Sequence, residues 1–540
     1  AAGGAVTEVG NESALTAAIA DSNVNTVKLT GDISISNSLT VKRTVTLDLN
    51  GFVLKYQNDS QRGSVIVVEG GGQLTIEDSN TSKPSHKFKP NDDGLWVLDE
   101  ASGTEAVTGG VITGGTGTDI STYGGTTWYC GGGALIKNGG SLTMTGGNII
   151  GCSATYGGGV CTDSEQTDKF SMSGGSIAGC VASNSGGGVR ASGTFKMSGN
   201  AVIRSCTAES ATQFVFGGGV YVNSSSSFEM SDTAIIKGCQ AISNSSYSSN
   251  GGGVYVSSSS SFVMSEKAQI EDCKAISNSP KSSNGGGVFL ANGTSLTLSG
   301  NAVIQNCTAT NSVNSGEAYG GGVCASCVRQ ITLADSAHIV GCAAANGSGL
   351  YITGSQMYPA DYGKLLANGG SVDGDVVLGD YENYPCTITG TGGTVFKGKV
   401  TVAPGSTIES GIFNGEVINN GTINGGIFNS TVSGSGTING GTFNTPMTGS
   451  GTESDPYQIS TADQLKRFRD IVNGSNGQTP NRGACAVLTN DIVLNDGTFA
   501  EDGNYTPGPS AAALTEWSPM GVSKYTVYAG TFDGAGHTIQ

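Results

Sequence analysis

Across the middle of the chain, apolar and polar residues alternate over short stretches, and the same stretches return again and again. In GGGVYVNSSSSFEMSDTAIIKGCQA, which begins at Gly217, Val220 and Val222 share one face, then Phe228 and Met230, then Ala234 and Ile236, with Cys239 closing the third stretch. Period-2 alternation is the pattern of a half-buried strand. Gly and Ser/Asn runs mark the corners between stretches, and no amphipathic helix intervenes. Close copies begin at Gly251 and Gly285, looser ones at Gly131, Gly157, Gly186 and Gly320, and a degenerate one at Gly347. A block of about 35 residues recurring in this way is the signature of an array architecture. Three strands per block, wound in parallel with apolar faces inward, predict an all-β solenoid, a parallel β-helix. One turn buries too few side chains to offset its own ordering, so the turns must stack.

The flanks change rhythm. Near the N-terminus, residues 11–20 predict a short helix with Ala14, Leu15, Ala18 and Ile19 on one face, placed to cap the open end of the solenoid. Strand-like stretches follow at 27–29, 33–35, 45–49 and 65–68. Residues 78–129 lose the repeat, carry Trp96, Trp128 and the Asp92-Asp93 pair, and predict an insertion that serves either function or as a cover. After residue 354 the period shortens to 15 residues, aligning Ile408, Ile423 and Ile438, then Phe413, Phe428 and Phe443, then Asn414, Asn429 and Asn444. The aligned asparagines suit a hydrogen-bonded corner ladder, whether each unit is a small turn or half of a larger one. At Gly449 the pattern restarts: Ser460 with Asp463 resembles a capping box, Leu465, Phe468, Ile471 and Val472 line a helix face, and Asn473-Gly474 stops it. The expected organisation is a cap with first coils (1–77), the insertion (78–129), long coils (130–353), short coils (354–448) and a second capped β module (449–540). That module ends in mid-pattern, so a continuation past residue 540 is expected.

The 13 cysteines first suggest disulfides, but their positions argue for a ladder. Cys152, Cys180, Cys206, Cys239, Cys273, Cys307 and Cys342 occupy one slot of the repeat and predict a column of small core residues. Cys324 and Cys327 form a lone C-x-x-C, read as a local disulfide or no bond. A net charge of −17 argues against nucleic acid or anionic membrane as partner. No apolar run is long enough to cross a bilayer.

The GGGVYV, SFxMS and AxIxxC turns resemble the right-handed parallel β-helix regions of large surface proteins of Gram-positive gut bacteria. They are also similar to the pectate-lyase-like fold and to GG-rich repeats of bacterial adhesins. The segment from GTESDPYQIS through Trp517-Ser-Pro-Met-Gly521 to GTFDGAGHTI resembles sequences that precede GLUG-type repeats. The resemblance implies an extracellular, cell-surface or wall-associated protein, acting as an adhesin or less often on polysaccharides. Fold-related lyases use an Arg or Lys base beside carboxylate-bound Ca²⁺, and related hydrolases use clustered Asp residues with a Gly-His-Gly. None of the three histidines, His86, His338 and His537, lies in such a motif. The nearest catalytic constellation is Asp163, Glu165 and Asp168 with Arg190 one turn on. Those carboxylates would be the place for Ca²⁺, although a solvated corner is the plainer reading. No cofactor is otherwise expected.

A surface expectation follows from strand alternation. With Val220, Val254 and Val288 inward, the next residues point out. Turn by turn that column is Leu135, Cys161, Arg190, Tyr221, Tyr255, Phe289, Cys324 and Tyr351. Its aromatics, Tyr221, Tyr255, Phe289 and Tyr351, suit sugar rings or an extended peptide. The alternative is cladding, with the column covered by Ser/Asn-rich corners such as residues 240–250. The functional expectation is a monomeric surface protein binding a glycan or another host or bacterial surface ligand. A polysaccharide lyase or hydrolase and a structural stalk are the alternatives.

Overall fold

A computed structural model describes residues 5–540 apart from 59, 81–84, 124–125, 164–167, 359, 380–383, 392, 445–446, 475–479, 495–496, 500–504, 508–516 and 522–526. The chain forms a parallel β-helix. In the turn that starts at Gly251, Val254–Val256 lies on a first face, Ser261–Met264 on a second and Gln269–Glu271 on a third. Each pairs in parallel, residue for residue, with its counterparts one turn before and after, as Val254 does with Val220 and Val288. Strands of the first face make one 14-stranded ladder. Those of the second and third faces merge into a single sheet because Gln330–Val340 and Lys364–Val372 run unbroken around the corner between them.

Identical register puts identical side chains in interior columns. Phe170, Phe195, Phe228 and Phe262 stack with ring centroids 4.9, 4.7 and 4.7 Å apart, the spacing of neighbouring strands. The seven-cysteine ladder is present as expected, with every member free and buried. Burial pushes the Cys239, Cys273 and Cys307 thiols well above their ordinary range. Cys324 and Cys327 are also unbonded. Maleimide is therefore expected to spare all seven ladder thiols in the native protein and to modify them once it is denatured, with half-buried Cys327 the most reactive. Native modification of any ladder cysteine, read by mass spectrometry, would contradict this packing.

The short repeats prove to be complete three-sided turns: Val417 takes the first face, Ile423 the second and Phe428 the third. The asparagine ladder forms, Asn429 Nδ2 donating to Asn414 Oδ1 at 2.7 Å and Asn444 Nδ2 to Asn429 Oδ1 at 2.8 Å.

The N-terminal helix spans Glu12–Ala20, capped by the Asn11 side chain, and buries Leu15, Ala18 and Ile19 on the first turn. Arg43 closes its other end by donating to the carbonyls of Ala18, Ile19 and Val24. The C-terminal module repeats this plan. Tyr457–Ile459 pairs in parallel with Ala486–Leu488 across the helix Ala462–Asn473, as Ala5–Val9 pairs with Val24–Leu29. The helix N-cap is Thr461, not Ser460: its hydroxyl accepts from the Gln464 N–H, while the Gln464 side chain reaches one residue further back to accept from the Ser460 N–H.

Residues 78–129 divide into three pieces. Ser85–Pro90, Trp96–Leu98 and Glu105–Thr108 form a small antiparallel sheet whose Phe88, Trp96 and Val107 cover Val53, Val111, Ile150 and Ala178 on the third face. Val111–Thr113 rejoins the stack between Val53–Tyr56 and Asn148–Ile150. A hairpin, Thr118–Tyr123 with Thr126–Cys130, then opens a fourth sheet.

That fourth sheet is built from the corners. After each ladder cysteine the chain runs outward, as in Gln240–Ser243 and Lys274–Ser277, and it returns through Ser249–Asn250 and Ser283–Asn284. Outgoing and returning strands stack with their own kind from turn to turn, making a two-layered fin beside the solenoid. Small side chains fill it: Ala208, Ala241, Ala275 and Ala309 against Val215 and Ala318.

Candidate ligand-binding groove

The fin stands beside the first face, and the outward column of that face runs along the floor of the groove between them. Leu135, Cys161, Arg190, Tyr221, Tyr255, Phe289, Cys324 and Tyr351 pair in unbroken succession. The Tyr221 and Tyr255 rings stack at 5.3 Å, and those of Tyr255 and Phe289 at 5.2 Å. Phe216, on a returning fin strand, lies 4.6 Å from the Tyr255 ring, and Tyr319 lies 4.9 Å from that of Tyr351. Open and covered stretches therefore both occur on one column. Tyr351 is only 8% exposed, and burial raises the Tyr255 phenol far above its usual range. Phe289 is half-buried.

The groove opens at Arg190 and Tyr221. There it encloses about 380 Å³ between Tyr156, Phe214, Phe216 and Tyr247, with the amides of Asn184 and Gln213 at the rim. Phe214 and Tyr247 are 46% and 38% exposed, with rings 4.2 Å apart. Asn184 donates to Gln213 at 2.8 Å, leaving amide donors and acceptors at the mouth. Trp128 of the hairpin stacks on Tyr156 at 5.5 Å, on whose ring the Arg190 guanidinium rests at 5.0 Å. Beneath them a disulfide joins Cys130 to Cys161 and ties the hairpin to the first face.

The carboxylates proposed as partners of Arg190 are arranged otherwise. Asp168 is buried and accepts a hydrogen bond from the Gly139 N–H at 2.8 Å, which makes it a brace for the neighbouring corner. Asp163 is exposed at the end of its strand, and Glu165 lies outside the described residues. Among the described residues, no carboxylate or histidine lines the hollow at Arg190 and Tyr221. Among the described residues no three His, Cys, Asp or Glu side chains group as metal ligands. Likewise, among the described residues no helix is long and apolar enough to cross a membrane.

A second hollow, of about 300 Å³, lies between the last short turn and the helix Ala462–Asn473. Its charges are paired within the helix, Arg469 with Asp470 at 2.8 Å and Lys466 with Asp463 at 3.6 Å, and Arg467 crosses the junction by donating to the Asn444 carbonyl.

Of the groove's aromatics, Tyr221, Tyr255, Phe289 and Tyr351 were legible from strand alternation. Tyr156, Phe214, Phe216 and Tyr247 come from the fin. The one hint of them is that Phe214 and Tyr247 interrupt polar runs at nearly the same distance before a Gly-Gly-Gly. No protein family, curated protein or solved structure matches this chain.

Proposed function

We propose that this protein is a surface-associated β-helix that binds glycans through the groove between its fin and its first face. The observation that carries the reading is the cluster of exposed Phe214 and Tyr247 with half-buried Tyr221 beside the Asn184 and Gln213 amides. Flat ring faces receive the C–H faces of sugars, while amides at the rim meet their hydroxyls. The Cys130–Cys161 bond suits an extracellular, oxidising location. Recognition of this kind asks for no cofactor and no Ca²⁺.

Binding to an array of host, bacterial and plant polysaccharides tests the proposal. Phe214→Ala and Tyr221→Ala are each expected to weaken retention about tenfold, the scale of one lost ring contact. Ile427→Ala, an exposed residue on the short coils, should leave it unchanged. If the unaltered chain retains no glycan on any array surface, with or without calcium, the structural-stalk account replaces this one.

A further inference from the structure

Arg190 sits where its neighbours in the column carry Tyr221 and Tyr255, and no need of the fold explains a cation there. Other arginines satisfy the protein itself. Arg43 donates to the carbonyls that end the first helix, Arg62 to the Thr116 carbonyl, and Arg204 pairs with Glu105 while resting on Trp96. The Arg190 guanidinium lies over the face of Tyr156 and, 3.9 Å from one nitrogen, beside the sulfur of Cys161. Among the described residues no carboxylate lies within ion-pair distance of it. Among the described residues it is also the one charged side chain lining the hollow at Tyr221, in a chain whose net charge is −17.

We infer that the groove selects anionic glycans, with a sugar carboxylate or sulfate ester pairing with the Arg190 guanidinium while the sugar ring lies on Tyr221. The inference rests on the glycan-binding reading above and adds the class of sugar. A guanidinium held over an aromatic ring still has N–H groups to offer, and their fork matches the paired oxygens of a carboxylate or sulfate. Stacking on Tyr156 holds the fork in place before the ligand arrives, so little side-chain freedom is lost on binding. The acidic surroundings act as a filter. A diffuse polyanion is repelled by the chain as a whole, and only a ligand whose rings also fit the groove brings its charge to Arg190.

The test measures affinity for three immobilised sets at low ionic strength: uronate polysaccharides, sulfated polysaccharides, and the carboxyl-reduced and desulfated versions of each. The unaltered chain is compared with Arg190→Gln, Arg190→Lys and Tyr221→Ala, each checked for an unchanged thermal transition. The expected result is preference for one anionic set over its neutral version, a loss of about tenfold or more in Arg190→Gln on that set alone, and partial retention in Arg190→Lys. Which set is preferred identifies the anion as carboxylate or sulfate. Equal binding of neutral and anionic sets, unaltered in Arg190→Gln but lost in Tyr221→Ala, overturns the anion assignment and leaves the glycan groove standing. Failure of the unaltered chain to retain any set overturns both. Binding of poly-glutamate as tight as that of the best polysaccharide shows that charge alone is read, and overturns the sugar assignment.

Discussion

Alanine at Gly252 is expected to destabilise the long coils by about 3–5 kcal/mol, which is severe for the addition of a single methyl group. A Cβ at this position would sit 2.3 Å from the Lys274 carbonyl carbon and 2.4 Å from the Gly286 carbonyl oxygen. Both are backbone atoms in ladders, and neither can move without dragging a strand. The three glycines of the motif answer three different demands. Gly251 turns the chain with φ at +70°, Gly252 lets the base of the fin touch the next turn, and Gly253 lies against the side chains of Ile270 and Cys273. Because each turn contacts only its neighbours, the damage should be local. Hydrogen exchange is expected to show lost protection in residues 217–290 while the short coils and the C-terminal module keep theirs. Protection unchanged at Tyr255 and Ala275 would mean that fin and first face are not packed this closely.

The second large effect is expected from the phenylalanine column. Phe228 is wholly buried, its ring 4.7 Å from Phe195 on one side and 4.7 Å from Phe262 on the other. Phe228→Ala should cost about 3–5 kcal/mol, from lost burial, the cavity left behind and two broken stacks. Phe228→Leu should cost less than about 1.5 kcal/mol. The same column already accepts leucine at both ends, where Leu142 pairs with Phe170 and Phe262 with Leu296. Urea unfolding of both variants separates the two cases. Equal losses for Ala and Leu would mean that ring stacking, rather than filled volume, sets the stability of the column.

The two variants mark how far the primary structure can be read. Phe228, Met230, Val220 and Ile236 were assigned to the core from alternation alone, since a strand gives its side chains only two directions and the repeat says which is inward. The same rule placed Tyr221 and Tyr255 outside and in line. It placed the cysteines in one column too, although Cys130 and Cys161, which fall outside that slot, gave no sign that they are joined. The Ser460 cap was displaced by one residue because capping depends on side-chain reach rather than spacing alone.

Alternation along a single strand determined the solenoid, its interior columns and the order of its outward residues. Only the tertiary structure decided what stands over that outward face. Stretches such as SNSSYSSN carry no apolar period, because the fin they build is held by backbone ladders and alanine-sized side chains rather than by a hydrophobic stripe. Their strand character exists only where one turn lies on the next. The hollow at Tyr221 and Arg190 and the cover over Tyr255 follow from where Phe216 and its neighbours come to rest, and that is set by contacts between residues more than 30 positions apart.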